Sequence, residues 1–161
     1  SEKQEPEVCS KNVEWIYTKK GIIQYRVISP EVYRFENKKE YIEFPSGVEV
    51  YSFDTKGRQQ SYMKSDYARQ NQGDKTIEAK GSVVLENKKG EKLETEHLIF
   101  DKRAEQISTN GVVKITQRGQ AVFGQGFKSN TSFTNYTLKK SRGIINIDTV
   151  NKQRTNSIDQ N

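Results

Sequence analysis

A strand-forming segment headed by glycine occurs three times in the middle of the chain, and this repeat constrains the fold more than any other feature. In each copy the glycine leads into a valine-containing strand, a polar turn with a second glycine, and a returning segment, and about three copies account for residues 40–130. Regular spacing of this kind is typical of architectures that stack one supersecondary unit on the next. The heading glycines are Gly47, Gly81 and Gly111, the turn glycines are Gly57, Gly90 and Gly119, and the returning segments are 60–67, 92–100 and 120–127.

The apolar residues favour strands over helices. Isoleucine and valine together number 25, whereas leucine and alanine, which are better helix formers, number 8. From Thr76 to Glu86 apolar and polar residues alternate except at Val84, as expected for a sheet with one buried and one solvated face. The sequence therefore predicts an all-β fold built from repeated antiparallel strand–turn–strand units.

The 161 residues fit one domain between two polar ends. Residues 1–12 are rich in Glu, Lys, Gln and Ser and are predicted to be a flexible linker, because they offer too little apolar surface to bury. The domain is predicted over residues 13–146 and begins with a hairpin of strands 13–18 and 22–28. Residues 147–161 are predicted to be a polar C-terminal tail.

The stacked units predict an elongated, open sheet rather than a filled barrel. Each unit buries its inner face only against its neighbours, and a closed barrel would need more inward-facing apolar bulk than this sequence has. A folded-over open sheet leaves an apolar groove along its inside. It also leaves two end strands whose unpaired backbone groups allow another chain to add a strand.

The sequence gives no sign of catalysis. His97 and Cys9 are the only residues of their types, so neither a histidine or cysteine metal cluster nor a Cys–His nucleophile is expected. Glu94 and Glu96 share one strand face, the type of carboxylate pair that serves glycoside hydrolysis. With 21 acidic residues, however, such pairs arise by chance, and we predict a protein that is not an enzyme and has no cofactor.

The net charge of +6 lies in the last third of the chain, where residues 101–161 carry 10 basic and 4 acidic side chains. This excess favours either a solvated strand face or attraction to the phosphates of lipid headgroups or nucleic acid. Nucleic acid is not an expected partner, because the compact aromatic and basic motif of RNA-binding sheets is missing. No apolar run exceeds three residues, so no membrane span is expected within the chain.

The order and spacing of many short motifs resemble the LptC family of bacterial lipopolysaccharide-transport proteins, over residues 13 to about 146. Upstream, Gly21–Arg26, Tyr41–Gly47 and Lys64–Ala68 are similar to the version of the family seen in Bacteroidetes-like sequences. The remaining motifs are Gly81–Leu85, Gly90, Leu93, Thr95, Glu96, Leu98, Asp101, Gly111, Val113, Ile115, Gly124, Gly126, Phe127 and Phe133.

This resemblance implies a periplasmic β-jellyroll with an open, V-shaped cross-section, tethered to the inner membrane by an N-terminal segment absent from this chain. It implies a lipid conduit that accepts lipopolysaccharide from an inner-membrane ABC transporter complex and passes it to a periplasmic bridge protein of the same fold. Cys9 follows Glu7 and Val8 rather than the small residues usual before a lipidated cysteine, so Cys9 is not expected to be the anchor.

Given this role, we expect apolar residues of the repeats to line a groove for acyl chains, although plain core packing explains each of them equally well. The predicted groove residues are Val48, Val50, Val83, Leu85, Leu98, Phe100, Val113, Ile115 and Phe127. Partners are expected at the end strands, the membrane complex at the N-terminal edge and the bridge protein at the C-terminal edge. The predicted edge residues are Ile22, Tyr25, Val27, Gly126, Phe133 and Leu138.

The alternative function is a structural or adhesive β-repeat module that binds protein or glycan through its outer surface. The two functions differ in the interior of the sheet. Lipid carriage requires apolar side chains that face an accessible groove, whereas a surface-binding module would have a sealed interior and exposed aromatic residues.

Overall fold

A computed structural model describes residues 4–73 and 75–146 of the chain. In that part of the chain all regular structure is β, and eleven strands form one antiparallel sheet, which confirms the predicted fold class. The strands are β1 (Val8–Lys19), β2 (Ile22–Phe35), β3 (Tyr41–Phe44), β4 (Val48–Phe53), β5 (Gln59–Ser65), β6 (Tyr67–Asn71), β7 (Thr76–Asn87), β8 (Lys92–Asp101), β9 (Gln106–Gln117), β10 (Gln120–Asn130) and β11 (Tyr136–Asn146).

The sheet is a meander in which successive strands run side by side. β3 and β4 together form one interrupted strand, since β3 pairs with the C-terminal part of β2 and β4 with its N-terminal part. β5 and β6 are interrupted in the same way, and they pair with different parts of β7. β1 pairs with β2 and β11 with β10, so that these two strands lie at the ends of the sheet.

A fold line crosses the meander half-way along its strands. On β7 it passes through Gly81 and Ser82, which have φ angles of +81° and +45°, and the pairing of β7 with β8 shifts register there. The neighbouring strand is interrupted at the same place, between β5 and β6. There the amide of Asp66 donates a 2.9 Å hydrogen bond to the carbonyl of Gly81. Positive φ angles bend the strand sharply, so the line folds the sheet onto itself.

The fold line separates two layers that face each other. Trp15 of one layer and Phe44 of the other have ring centroids 5.7 Å apart, and Tyr25 and Phe100 make a similar contact at 5.8 Å. Layer A contains 8–11, 31–35, 41–44, 67–71, 76–80, 97–101, 106–109, 127–130 and 136–138, and layer B contains 13–19, 22–28, 48–53, 59–65, 83–87, 92–95, 113–117, 120–125 and 140–146.

The glycine repeat of the sequence corresponds to this folded meander. Each copy of the repeat corresponds to two successive antiparallel strands. The turn glycines Gly57 and Gly90 lie in hairpin loops, as predicted, and both have positive φ angles. The heading glycines, however, do not begin strands at every copy: Gly81 and Gly111 lie inside β7 and β9, on the fold line, and Gly47 lies on it between β3 and β4.

The hydrophobic core lies between the layers and is built from one face of each strand. On β7 the buried residues alternate with more exposed ones, as the alternation in the sequence predicted. The largest fully buried apolar side chains are Phe127, Phe133, Leu85, Leu93, Leu98, Val83 and Val113.

The N-terminal strand begins earlier than predicted. β1 starts at Val8, so residues 8–12 of the segment assigned to the linker from its composition belong to a strand, and residues 8–11 pair with Glu31–Arg34 of β2. Composition failed here because an edge strand is held by its backbone hydrogen bonds and leaves most side chains in solvent. The predicted tail, residues 147–161, lies outside the described residues.

Candidate functional site

A cavity of about 360 Å³ lies between the two layers, on the side of the sheet formed by β1 and β2. The edge-to-face contact of Tyr25 with Phe100 spans it, with the ring planes at 86°. Most of its walls are aromatic or aliphatic, so a ligand there would be bound by burial of apolar surface. Layer B contributes Trp15, Tyr25, Val27, Val48, Val50, Met63 and Leu85, and layer A contributes Phe44, Ile77, Phe100 and Ile107.

Hydroxyl groups form one end of this cavity. Ser52 and Ser61 lie on the paired strands β4 and β5, and their Oγ atoms are 2.5 Å apart. Ser61 also donates a 3.2 Å hydrogen bond to the carbonyl of Thr131, in the loop between β10 and β11. Because these groups satisfy one another, the polar end of the cavity closes without an unpaired hydroxyl.

The mouth of the cavity is marked by a lysine and a tyrosine from opposite layers. The Lys102 Nζ lies 4.9 Å from the centre of the Tyr17 ring, within the range of a cation–π interaction. Burial lowers the pKa of the Lys102 amine, and the positive charge of Lys75 lowers it further. Burial also raises the pKa of the Tyr17 hydroxyl, which Arg34 partly opposes. Lys19 and Glu105 are the other charged residues at the lining.

The interior on the β10–β11 side is filled by three aromatic residues, Phe127, Phe133 and Tyr136, which we name the aromatic plug. Phe133 has no exposed surface, and its ring centroid lies 5.7 Å from that of Phe127 and 5.1 Å from that of Tyr136. The Tyr136 hydroxyl donates a 2.7 Å hydrogen bond to the carboxylate of Glu91. Burial and this bond raise the pKa of Tyr136 to about 12.

A second cavity, of about 260 Å³, lies beyond the plug. Thr131 borders the first cavity and Tyr136 the second, so the loop that carries the plug stands between them. The two cavities therefore lie on either side of this loop. The second cavity is lined by Ile115, Gln117, Arg118, Gln120, Val122, Tyr136 and Leu138.

The sequence matches the family model described as lipopolysaccharide-assembly, LptC-related, over residues 1–146, a span that includes every strand described above. The chain belongs to the LptC family. Membership gives this LptC-family protein a role in lipopolysaccharide transport and confirms the resemblance seen in the motifs. No curated protein matches the chain in a sequence search. Within residues 4–73 and 75–146, no helix has the length and hydropathy needed to span a membrane.

The nine predicted groove residues of this LptC-family protein fall into three groups. Val48, Val50, Leu85 and Phe100 line the first cavity, and Ile115 lines the second. The other four border neither of these two cavities and are at most 1% exposed, so they pack in the core, and their contact with lipid stays a prediction. They are Val83, Leu98, Val113 and Phe127.

Three predicted edge residues also lie elsewhere. Tyr25 and Val27 are on β2, which is covered by β1, and both line the first cavity. Phe133 is buried in the β10–β11 loop rather than exposed on a strand. Ile22 is 39% exposed at the tip of the β1–β2 hairpin. The ends of the described sheet are β1 and β11, and Leu138 lies on β11.

The adjacent strand β10 carries Gly126 at the fold line. Its φ angle is +87°, and a Cβ atom there would lie 3.0 Å from Cδ of Lys139 on β11. A larger residue would therefore disturb both the bend and the end strand.

Several cavity residues were missed because the sequence pattern does not show which apolar residues meet across the fold. Trp15 is followed by Ile16 and Met63 is preceded by Tyr62, so local alternation with polar residues does not single out either of them as inward-facing. Lys102 follows β8 in a turn of polar residues, and nothing in its local sequence distinguishes it from other lysines. Among the described residues, no group of three His, Cys, Asp or Glu side chains is arranged to hold a metal ion.

Proposed function

We propose that this LptC-family protein is a non-enzymatic periplasmic lipid conduit that holds an acyl chain of lipopolysaccharide in the first cavity. The observation that carries the proposal is the cavity itself: an apolar space between the layers, with a mouth beside β1 and β2. An acyl chain left in water costs roughly 0.8 kcal/mol per methylene group, so a carrier must supply an apolar lining of this kind.

The size of the first cavity argues for one chain at a time. Its volume of about 360 Å³ is near the lower end of the range for ligand pockets, roughly 300–1,000 Å³. The buried aromatic plug separates it from the second cavity. A lipid with several acyl chains would therefore keep most of them outside the first cavity unless the layers separate.

The handover partners that we propose are an inner-membrane ABC transporter complex at the N-terminal edge and a bridge protein of the same fold at the C-terminal edge. β1 and β11 lie at the two ends of the described sheet and offer backbone groups for strand addition. Joining sheets edge to edge would align the interiors of two similar proteins. Energy for transport would come from the ABC transporter.

Photo-cross-linking from adjacent residues on one strand tests the conduit. Met63 lines the first cavity, whereas Lys64, the next residue on β5, is exposed. We expect p-benzoylphenylalanine at position 63 to form adducts with lipopolysaccharide in membranes that synthesise it. The same group at position 64 is the matched control and should form few.

Equal labelling at positions 63 and 64, or none at 63 in a folded protein, would contradict the conduit. Adducts with protein or glycan from position 64 alone would instead favour the adhesive module. A second pair on β8 repeats the test in case position 63 does not tolerate the cross-linker. Phe100 lines the first cavity, and Glu96 is exposed.

A further inference from the structure

Lys102, in the turn after β8, differs in its surroundings from Lys80 and Lys114 of the neighbouring strands. Lys80 and Lys114, on strand faces, lie 3.2 Å from Glu78 and 3.9 Å from Glu94, respectively. Lys102 is half-buried at the lining of the first cavity and makes no ion pair with a carboxylate of the described residues. Its neighbour there is the Tyr17 ring, whose face attracts a cation but does not neutralise it.

The charges around Lys102 favour an incoming anion. Lys75 is close enough to act on the Lys102 amine electrostatically, and the Lys102 amide donates a 3.4 Å hydrogen bond to the Lys75 carbonyl. Lys19 also lines the cavity, while Glu105 is the one acidic residue among its described lining residues. A half-buried ammonium without a counter-ion is unfavourable, and an anionic group at the mouth would relieve that cost.

We propose that Lys102 binds the phosphate headgroup of an anionic lipid whose acyl chain occupies the first cavity. This site rests on the proposed conduit function, because the chain must enter the cavity for the headgroup to reach the mouth. The apolar walls then bind the chain, and Lys102, flanked by Tyr17 and Lys75, fixes which end of the lipid faces outward. Charge complementarity of this kind would discriminate against neutral amphiphiles of the same chain length.

The chain carries its own reporter for this site. Trp15 is the single tryptophan and lines the first cavity, so its fluorescence should change when a chain enters. The probes are dodecyl phosphate and dodecanol, which share one chain and differ in charge, each titrated below its aggregation concentration. We expect the complete 161-residue chain to bind dodecyl phosphate about tenfold more tightly, the effect of one charge-assisted hydrogen bond.

Three variants locate the effect. Lys102→Gln should lose most of the tenfold preference and keep its affinity for dodecanol, while Lys102→Arg should retain the preference. Lys114→Gln removes the same charge from a strand face and should bind both probes like the original chain. Circular dichroism of each variant confirms that the sheet is intact.

The outcomes separate the two proposals. If Trp15 responds to both probes but Lys102→Gln keeps the phosphate preference, the headgroup site is wrong and the conduit stands. If neither probe changes Trp15 fluorescence, the conduit is contradicted, and the headgroup site with it. Repeating the titration with phosphorylated lipid A and with short-chain phosphatidic acid shows which source of phosphate is preferred. The lipid whose binding is weakened selectively in Lys102→Gln is the one whose phosphate Lys102 binds.

Discussion

The side-chain amide of Asn87 donates a 2.7 Å hydrogen bond to the backbone carbonyl of Phe133. This bond joins the β7–β8 turn of layer B to the β10–β11 loop of layer A, 46 residues further along the chain. It holds the aromatic plug between the layers on one side of the molecule. On the other side, Tyr25 contacts Phe100 across the layers, and the space around this contact is the first cavity.

Replacing Asn87 should therefore destabilise the whole domain. Its side-chain oxygen also accepts hydrogen bonds of 3.0 Å from the amides of Lys89 and Glu91, so Asn87→Ala removes the organisation of the turn together with the link to Phe133. Leaving such buried groups unpaired costs about 2–4 kcal/mol. Urea denaturation should show this loss, whereas Lys88→Ala in the same turn, an exposed position, should change stability little. Similar midpoints for the two variants would contradict the role of Asn87.

The fold line predicts a difference between two glycines that have positive φ angles. Gly47 has φ +101°, and a Cβ atom there would lie 2.8 Å from the backbone oxygen of Ser65. Gly57, in a hairpin turn, has φ +79° and open space around its Cβ direction. Gly57→Ala should cost about 1–2 kcal/mol from backbone strain, and Gly47→Ala clearly more, because a backbone atom must also shift. Thermal unfolding of both variants measures the difference, and equal costs would show that the contact with Ser65 relaxes freely.

The sequence predicted the strand class and much of the meander because both depend on local patterns. Alternation on β7 and the turns at Gly57 and Gly90 follow from rules that act over a few residues. The fold line was not predicted, since a glycine that bends a strand looks the same in sequence as one that begins it. Gly81 and Gly111 are the examples.

The cavity was only partly predictable, for a similar reason. Val83 and Leu85 have the same parity on β7 and are both buried, yet only Leu85 borders the first cavity. Whether an inward-facing residue meets a neighbour or an empty space depends on the separation of the layers. That separation is set by contacts such as Asn87 with Phe133, which strand periodicity does not encode.

Alkaline pH should weaken the fold through Tyr136. Its pKa is about 12 in the folded protein and about 10 in an unfolded chain, so the unfolded state loses the proton first as the pH rises. The contribution of Tyr136 to stability is therefore complete below pH 10 and is lost progressively between about pH 10 and pH 12. The urea midpoint of unfolding should be lower at pH 11 than at pH 9, and the difference should be smaller in Tyr136→Phe. An identical pH dependence in that variant would contradict the assignment.

Docking at the C-terminal edge can be tested at Gly126, beside β11. Gly126→Arg should strain the bend, displace Lys139 and weaken co-purification of the bridge protein. Gly90→Arg is the matched control, because the φ angle of Gly90, +84°, is close to the +87° of Gly126. Gly90 lies in a distant turn, and the space around a Cβ atom there is open. We expect both variants to lose about 1–2 kcal/mol of stability and only Gly126→Arg to lose the partner. Unchanged co-purification of Gly126→Arg would count against docking at this edge.

Removing the ring of Phe133 should cost stability and connect the two cavities. Phe133 is fully buried against Phe127 and Tyr136, so Phe133→Ala should lower the free energy of unfolding by about 3–5 kcal/mol, and Phe133→Leu by less. If the plug limits how far an acyl chain reaches, p-benzoylphenylalanine at Ile115 in the second cavity should label lipopolysaccharide more strongly in Phe133→Leu, which keeps most of the packing. Position 63 in the first cavity is the reference for total loading. Unchanged labelling at position 115 relative to position 63 would show that chains do not pass the plug.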